Sequence, residues 1–169
     1  MWLPQAAHML LAAFLAVGFG VAGVHALLLL RRPHDAMHRR ALLLALIVGG
    51  TAAVLTPLSG DLLAKRVAVL QPIKLAAMEG HWQNAPGEAV PLLLFGIPDM
   101  EAEKTRYAVG IPHLGSLILT HSWSGQIPGL KEFAREDRPN SLIVFWSFRL
   151  MVGLGLLMIA LGAWSFFLR

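Results

Sequence analysis

The sequence predicts an all-α integral membrane protein: three transmembrane helices of a larger bundle, plus a long, partly helical outer segment. Three observations carry this expectation. Of 169 residues, 56% are hydrophobic and only 14% are charged, whereas soluble domains carry about a quarter charged residues. The apolar residues gather in three runs, each near the roughly 20 helical residues that a bilayer core requires. Four arginines crowd into the ten residues between the first two runs. Together these features exclude an ordinary soluble globule and a disordered chain. The formal net charge of +4 does not indicate nucleic acid, because the basic residues are unevenly placed. No cysteine is present, which removes disulfides, iron–sulfur clusters and thiolate zinc sites. Redox chemistry would therefore rest on a cofactor held by His, Met or carboxylates.

The first span is assigned to residues 7–30, of which 9–30 hold no Asp, Glu, Lys or Arg. No basic stretch precedes it and no small-residue cleavage site follows, so it is not a signal peptide. Residues 31–40 contain Arg31, Arg32, Arg39 and Arg40 against the single acid Asp35. That bias places the loop in the cytoplasm. The second span, 41–60, ends in Thr56-Pro57-Leu58-Ser59-Gly60, a cluster expected to break the helix. The third, 141–168, is interrupted only by Arg149. In lipid each backbone amide needs an internal partner, which makes all three runs helices.

Orientation then puts residues 61–140 on the outer, periplasmic face. Their eight Lys and Arg are matched by at least as many acids, and a segment this long weighs little in the orientation rule. Seven of the ten prolines lie here, with punctuation at Ala85-Pro86-Gly87, Phe95-Gly96-Ile97-Pro98-Asp99 and Gln126-Ile127-Pro128-Gly129. Helices are expected at 70–82 and 100–109. The chain opens almost directly on His8 and is read as a piece of a larger membrane protein with further helices on either side.

Arg149 is the first candidate for chemistry, since an ionisable group inside a span costs at least ~2.5 kcal/mol on insertion scales. Either it snorkels to the outer interface, or it holds an acidic cofactor group such as a haem propionate. Met151 is either a core or lipid-facing methionine, or a thioether ligand to haem iron opposite an imidazole. Gly153 and Gly155 beside it would let a flat group or a helix approach. Residues two apart point about 200° away from each other on a helix, so one haem would meet both only through its width and the length of Arg. His8 is an interfacial residue or the opposing ligand. It lies about 35 Å along its helix from Arg31, and Met151 about 27 Å from Arg169, compatible depths for two ligands on parallel helices. His25 is read as structural.

In the outer segment, Lys74 and Glu79 are five apart, which is not the spacing of a stabilising helix pair. They form a solvated charged face, or a hydrogen-bonding lysine and a proton-accepting carboxylate beside a quinol. Trp82 and the apolar run 91–95 would then supply ring contacts. His34-Asp35-Ala36-Met37-His38 imitates a zinc-protease motif but has Asp in place of Glu and no evident third ligand. His113 and His121, eight apart with no carboxylate between them, are a weak metal signal.

Several stretches together have a specific likeness. Lys74-Leu75-Ala76-Ala77-Met78-Glu79-Gly80-His81-Trp82, Phe95-Gly96-Ile97-Pro98-Asp99, Arg138-Pro139-Asn140-Ser141 and Trp146-Ser147-Phe148-Arg149-Leu150-Met151-Val152-Gly153-Leu154-Gly155 resemble, in that order, subunit I of the cytochrome bd quinol oxidases. The short outer loop looks most like the cyanide-insensitive branch, and the likeness covers essentially the whole chain. It implies that the spans are the fifth, sixth and seventh helices of that fold and that the outer segment is its quinol-binding loop. It also implies that His8 and Met151 are the axial ligands of haem b558, that Arg149 lies beside that haem, and that Lys74 and Glu79 act in quinol oxidation.

The same resemblance implies a bacterial inner-membrane respiratory oxidase that passes electrons from quinol through a low-spin haem b toward oxygen, giving water. Partners would be subunit II, small accessory subunits, the missing helices of subunit I and membrane lipid, with no nucleic acid. The high-spin haem b and haem d would take their ligands from outside this chain, which alone would be inactive. Gly80-His81-Trp82-Gln83 lacks the further acids some relatives carry beside the matching glutamate, so the proton path there would differ. The rival expectation is a non-catalytic membrane subunit or assembly protein whose outer loop binds a partner. A bis-histidine cytochrome is weaker, because the second and third spans contain no histidine.

Overall fold

The computed structural model describes residues 2–84 and 88–167. The expected punctuation at Ala85-Pro86-Gly87 and the end of the third span at Leu168 and Arg169 lie outside the described residues. Three helices have the length and composition to cross a membrane: α1 (Trp2–Arg31), α2 (Ala36–Leu70) and a final helix, Ser141–Phe167. The chain is a multi-pass membrane protein. It divides into two compact units, Met1–Leu63 with Val152–Arg169, and Ala64–Met151.

In the first unit α1 and α2 run antiparallel, and their contacts follow a single register. His8 meets Ser59, Gly18 meets Gly49, and His25 meets His38. Small residues make this closeness possible: a Cβ on Gly18 would fall 2.5 Å from the Gly49 Cα. Ala22, Ala45, Ala52 and Ala53 are buried along the same two helices. Lipid is as apolar as leucine, so helices in a membrane associate through this kind of close backbone packing. Leu10, Phe14, Val17, Ile47 and Leu154 stay exposed, open to lipid or to neighbouring helices. The connector is short because the Asp35 carboxylate accepts the Met37 and His38 amides at 2.9 and 3.2 Å and starts α2.

The cluster at 56–60 does not end the second helix, contrary to expectation. Pro57 lies inside α2, which continues to Leu70. The Thr56 hydroxyl donates to the Ala52 carbonyl at 2.7 Å, and the Ser59 hydroxyl to the Thr56 carbonyl at 2.8 Å. Side-chain hydroxyls of this kind re-satisfy backbone groups around a membrane proline. Gln71 then leaves the helix, and Pro72 opens α3 (Pro72–Glu79) at its first turn. The helix expected over 70–82 is this shorter one. It stops at Gly80, whose φ of 62° is the left-handed cap that favours glycine.

The helix expected at 100–109 is instead part of a β-hairpin. Strand β1 (Leu92–Asp99) pairs antiparallel with β2 (Lys104–Ile111), Leu92 opposite Ile111 and Asp99 opposite Lys104. Thr105 is the partly buried residue of β2, while Tyr107, Val109 and Ile111 are exposed, and the pairing with β1 is irregular between Leu93 and Ile97. The Asp99 carboxylate accepts the Glu101 and Ala102 amides, both at 2.9 Å, and closes a turn there. Pro98 is tolerated because a two-stranded ribbon has open edges.

A short helix α4 (Leu114–Thr120) and two single 3-10 turns, Leu130–Glu132 and Arg135–Asp137, lead to α5 (Ser141–Phe167). Ala76, Ala77, Trp82 and Leu130 form the core of this unit, with Ile73, Met100 and Val144 against it. Phe145 is fully buried beneath Gly80.

Candidate functional site

Helix α3 ends with Glu79 buried at 4% exposure, because Leu75, Ala76 and Ala77 turn its inner face into the core. Arg149, about two turns into α5, reaches it: Nη2 donates to Glu79 Oε2 at 2.6 Å, and Nε donates to the Leu93 carbonyl at 2.5 Å. The guanidinium also lies 4.8 Å from the Phe145 ring centroid and 5.3 Å from that of Phe148. One side chain thus ties α3, β1 and α5 together. Taking two charges out of water is expensive, and the added carbonyl and ring contacts offset part of that.

Glu79 lines a cavity of about 210 Å³ together with His81, Trp82, Asn84, Pro91 and Leu93. Ligand pockets run roughly 300–1,000 Å³, and this one is smaller than that range. Trp82 is buried in the wall and donates from Nε1 to Thr105 Oγ1 at 3.1 Å. Asn84 Nδ2 donates to the Ile127 carbonyl at 2.8 Å, which leaves its Oδ1 to accept from His81 Nε2 at 3.0 Å. Burial pushes the His81 pKa below its ordinary value, against the opposing pull of Asn84, Glu132 and Glu79. The contact with Asn84 Oδ1 requires the proton on Nε2.

Lys74 is not brought to this cavity. It is exposed on α3, and five residues of helix turn it about 140° from Glu79. Phe95, at the end of the run expected to contact a ring, packs edge-on against Trp146 with centroids 5.3 Å apart.

His8 lies in the first unit. Its Nδ1 is 2.9 Å from Ser59 Oγ, and its Nε2 has no hydrogen-bond partner among the described residues. Met151 on α5 is 52% exposed. A Cβ added at Gly153 or Gly155 would meet nothing within 4 Å, so that stretch of α5 is open. His25 and His38 face each other, Nδ1 to Nδ1, at 3.1 Å. Sequence reasoning missed Ser59, Asn84 and the Glu79–Arg149 pair. Only Ser59 carried a signal, as a hydroxyl two residues past a proline within a span.

The whole chain, residues 1–169, matches the family model described as cytochrome bd terminal oxidase subunit I. A Bacillus subtilis (strain 168) protein provisionally named cytochrome bd menaquinol oxidase subunit I is 36% identical over 158 residues, covering 91% of this chain and 35% of that one. Cytochrome bd ubiquinol oxidase subunit 1 of the same strain is 32% identical over 166 residues, covering 92% and 35%. The solved bd oxidase of Geobacillus thermodenitrificans superposes with a TM-score of 0.83 at 30% identity, covering 95% of this chain and 36% of that one. The chain spans about a third of the length of these relatives. Fold, site and likeness meet in one assignment: the chain belongs to the cytochrome bd terminal oxidase subunit I family.

Proposed function

We propose that this chain is the electron-input portion of a respiratory quinol oxidase. Quinol binds at the segment 61–140, on the periplasmic side of a bacterial inner membrane. Two relatives are named for ubiquinol and menaquinol, and a quinol of either kind has the ring and two hydroxyls that the site would read. The observation that carries this reading is a buried carboxylate, Glu79, on the wall of a cavity that Trp82 and Pro91 also line.

The residues fit a low-spin haem b. His8 keeps an unpartnered Nε2, Met151 presents a half-exposed thioether, and Gly153 and Gly155 leave space beside it. His8 and Met151 would hold such a haem, which would supply one-electron transfer between quinol and the oxygen-reducing site. Arg149, held by Glu79 and the Leu93 carbonyl, would supply a fixed positive charge toward an acidic group of the haem.

Around the substrate, Trp82 and Pro91 give apolar ring contact, and Glu79 accepts a proton as the quinol is oxidised. Its ion pair with Arg149 holds the carboxylate in place for that transfer. Lys74, an exposed cation near the start of the same helix, takes part in quinol oxidation from outside this cavity. The high-spin haem b and haem d, subunit II and any accessory subunits complete the enzyme beyond this chain.

The test is Glu79→Gln in the full-length subunit within the assembled oxidase. Positioned acid–base groups contribute about 10²–10⁴-fold, so quinol turnover falls by at least that lower factor while the reduced haem spectrum is unchanged. Normal turnover would refute the role of Glu79.

A further inference from the structure

We infer that Ser59 is the positioning residue for His8, fixing its ring as the tautomer whose Nε2 is free to bind iron and tuning its strength as a donor. This rests on the reading of His8 as a haem ligand. The argument is a count of protons. A carbonyl oxygen can only accept, so the 2.8 Å contact between Ser59 Oγ and the Thr56 carbonyl uses the single hydroxyl proton of Ser59. At its other contact, 2.9 Å from His8 Nδ1, Ser59 Oγ has only a lone pair to offer. Nδ1 must then carry the proton. In a neutral imidazole that leaves Nε2 with its lone pair unprotonated.

The surroundings hold the ring in this pose. A Cβ at Gly60 would touch His8 Cε1 at 3.4 Å, so the Nδ1–Cε1 edge of the ring lies against α2. A longer side chain at position 60 would meet that edge. Ser59 is itself held by Thr56, the residue before Pro57, and a hydroxyl that donates is a better acceptor at its oxygen. The helix turn around the proline therefore becomes the device that orients the histidine on the neighbouring helix.

A ring that donates from Nδ1 is a more basic ligand at Nε2. The more highly charged ferric iron gains more from a basic donor than ferrous iron does, so the Ser59 contact lowers the reduction potential of the haem. Removing it raises the potential. For a one-electron couple, each tenfold change in the ferric-to-ferrous binding ratio reads as about 59 mV.

The experiment is a potentiometric titration of the low-spin haem in the assembled oxidase, with Ser59→Ala, Ser59→Thr and His8→Ala. Ser59→Ala should keep the low-spin signal with a more positive midpoint, and Ser59→Thr, which restores a hydroxyl, should return it to the wild-type value. Loss of haem in Ser59→Ala with retention in Ser59→Thr supports the inference equally. An unshifted Ser59→Ala, or equal loss of haem in both serine variants, overturns it. His8→Ala separates the two levels: if it keeps the low-spin signal, the ligand reading itself fails. If it loses the signal while Ser59→Ala is unshifted, only the role of Ser59 fails.

Discussion

Glu79 and Arg149 stand 70 residues apart in sequence and close a buried ion pair at 2.6 Å. Their side chains are 4% and 10% exposed, so water screens little of the interaction. Arg149 keeps a second bond to the Leu93 carbonyl, whereas the Glu79 carboxylate accepts no other hydrogen bond among the described residues. The two partners are thus unequal. Losing Arg149 strands a buried charge, and losing the charge on Glu79 leaves Arg149 with an anchor.

A double-mutant cycle should expose that asymmetry. Breaking a buried pair from one side costs about 3–5 kcal/mol, and Arg149→Met should approach that figure. Glu79→Gln should cost less, because the amide oxygen can still accept from the guanidinium. The double variant should be more stable than the sum of the single losses, since no unpaired buried charge remains. Denaturation of the oxidase in detergent, followed by fluorescence from the buried Trp82, reads all three. Strict additivity would mean that the pair carries no coupling.

His81 gives a pH dependence with a definite sign. Its pKa in the folded chain lies below the ordinary 6.5, with burial as the cause. Between the folded and unfolded values the unfolded state binds more protons, so stability rises with pH across that window. On acidification below 6.5, the contribution of the neutral, buried ring is progressively lost through the lowered folded pKa. Melting of wild type and His81→Gln on either side of that value checks this. Gln keeps a donor for Asn84 and does not titrate, so its curve should fall less steeply on the acid side. Parallel curves would remove His81 from the account.

Much of this fold was legible in the sequence, for particular reasons. The spans follow from length and hydropathy, and the last helix starts at Ser141, the residue at which the third run begins. Lys74, Glu79, Trp82 and the 91–95 run were expected around one ring; Glu79, Trp82, Pro91 and Leu93 share a cavity, which Lys74 and Phe95 do not line. What failed is what depends on partners distant in the chain. Pro57 reads locally as a breaker, yet membrane helices re-satisfy their backbone through hydroxyls such as those of Thr56 and Ser59. The 100–109 stretch has residues that also suit a helix, and the pairing of 104–111 with 92–99 is what makes its second half a strand. No spacing rule joins residues 79 and 149.

The contact of α1 with α2 yields a prediction with its own internal control. Gly18 and Gly20 lie on the same helix, but an added Cβ meets the Gly49 backbone at 2.5 Å in the first case and nothing within 4 Å in the second. A backbone atom cannot swing aside as a side chain would, so Gly18→Ala must wedge the helices apart. Overpacking of this kind costs about 1–3 kcal/mol, while replacing glycine by alanine within a helix returns up to about 1 kcal/mol. Gly20→Ala receives only the second contribution and should be neutral or slightly stabilising. Gly18→Ala should lower the melting temperature of the oxidase in detergent. His8 and Ser59 meet along the same antiparallel register, so the wedge also lengthens their hydrogen bond and should shift the haem potential in the direction of Ser59→Ala. Equal melting of the two glycine variants would show that α1 and α2 do not depend on this close approach.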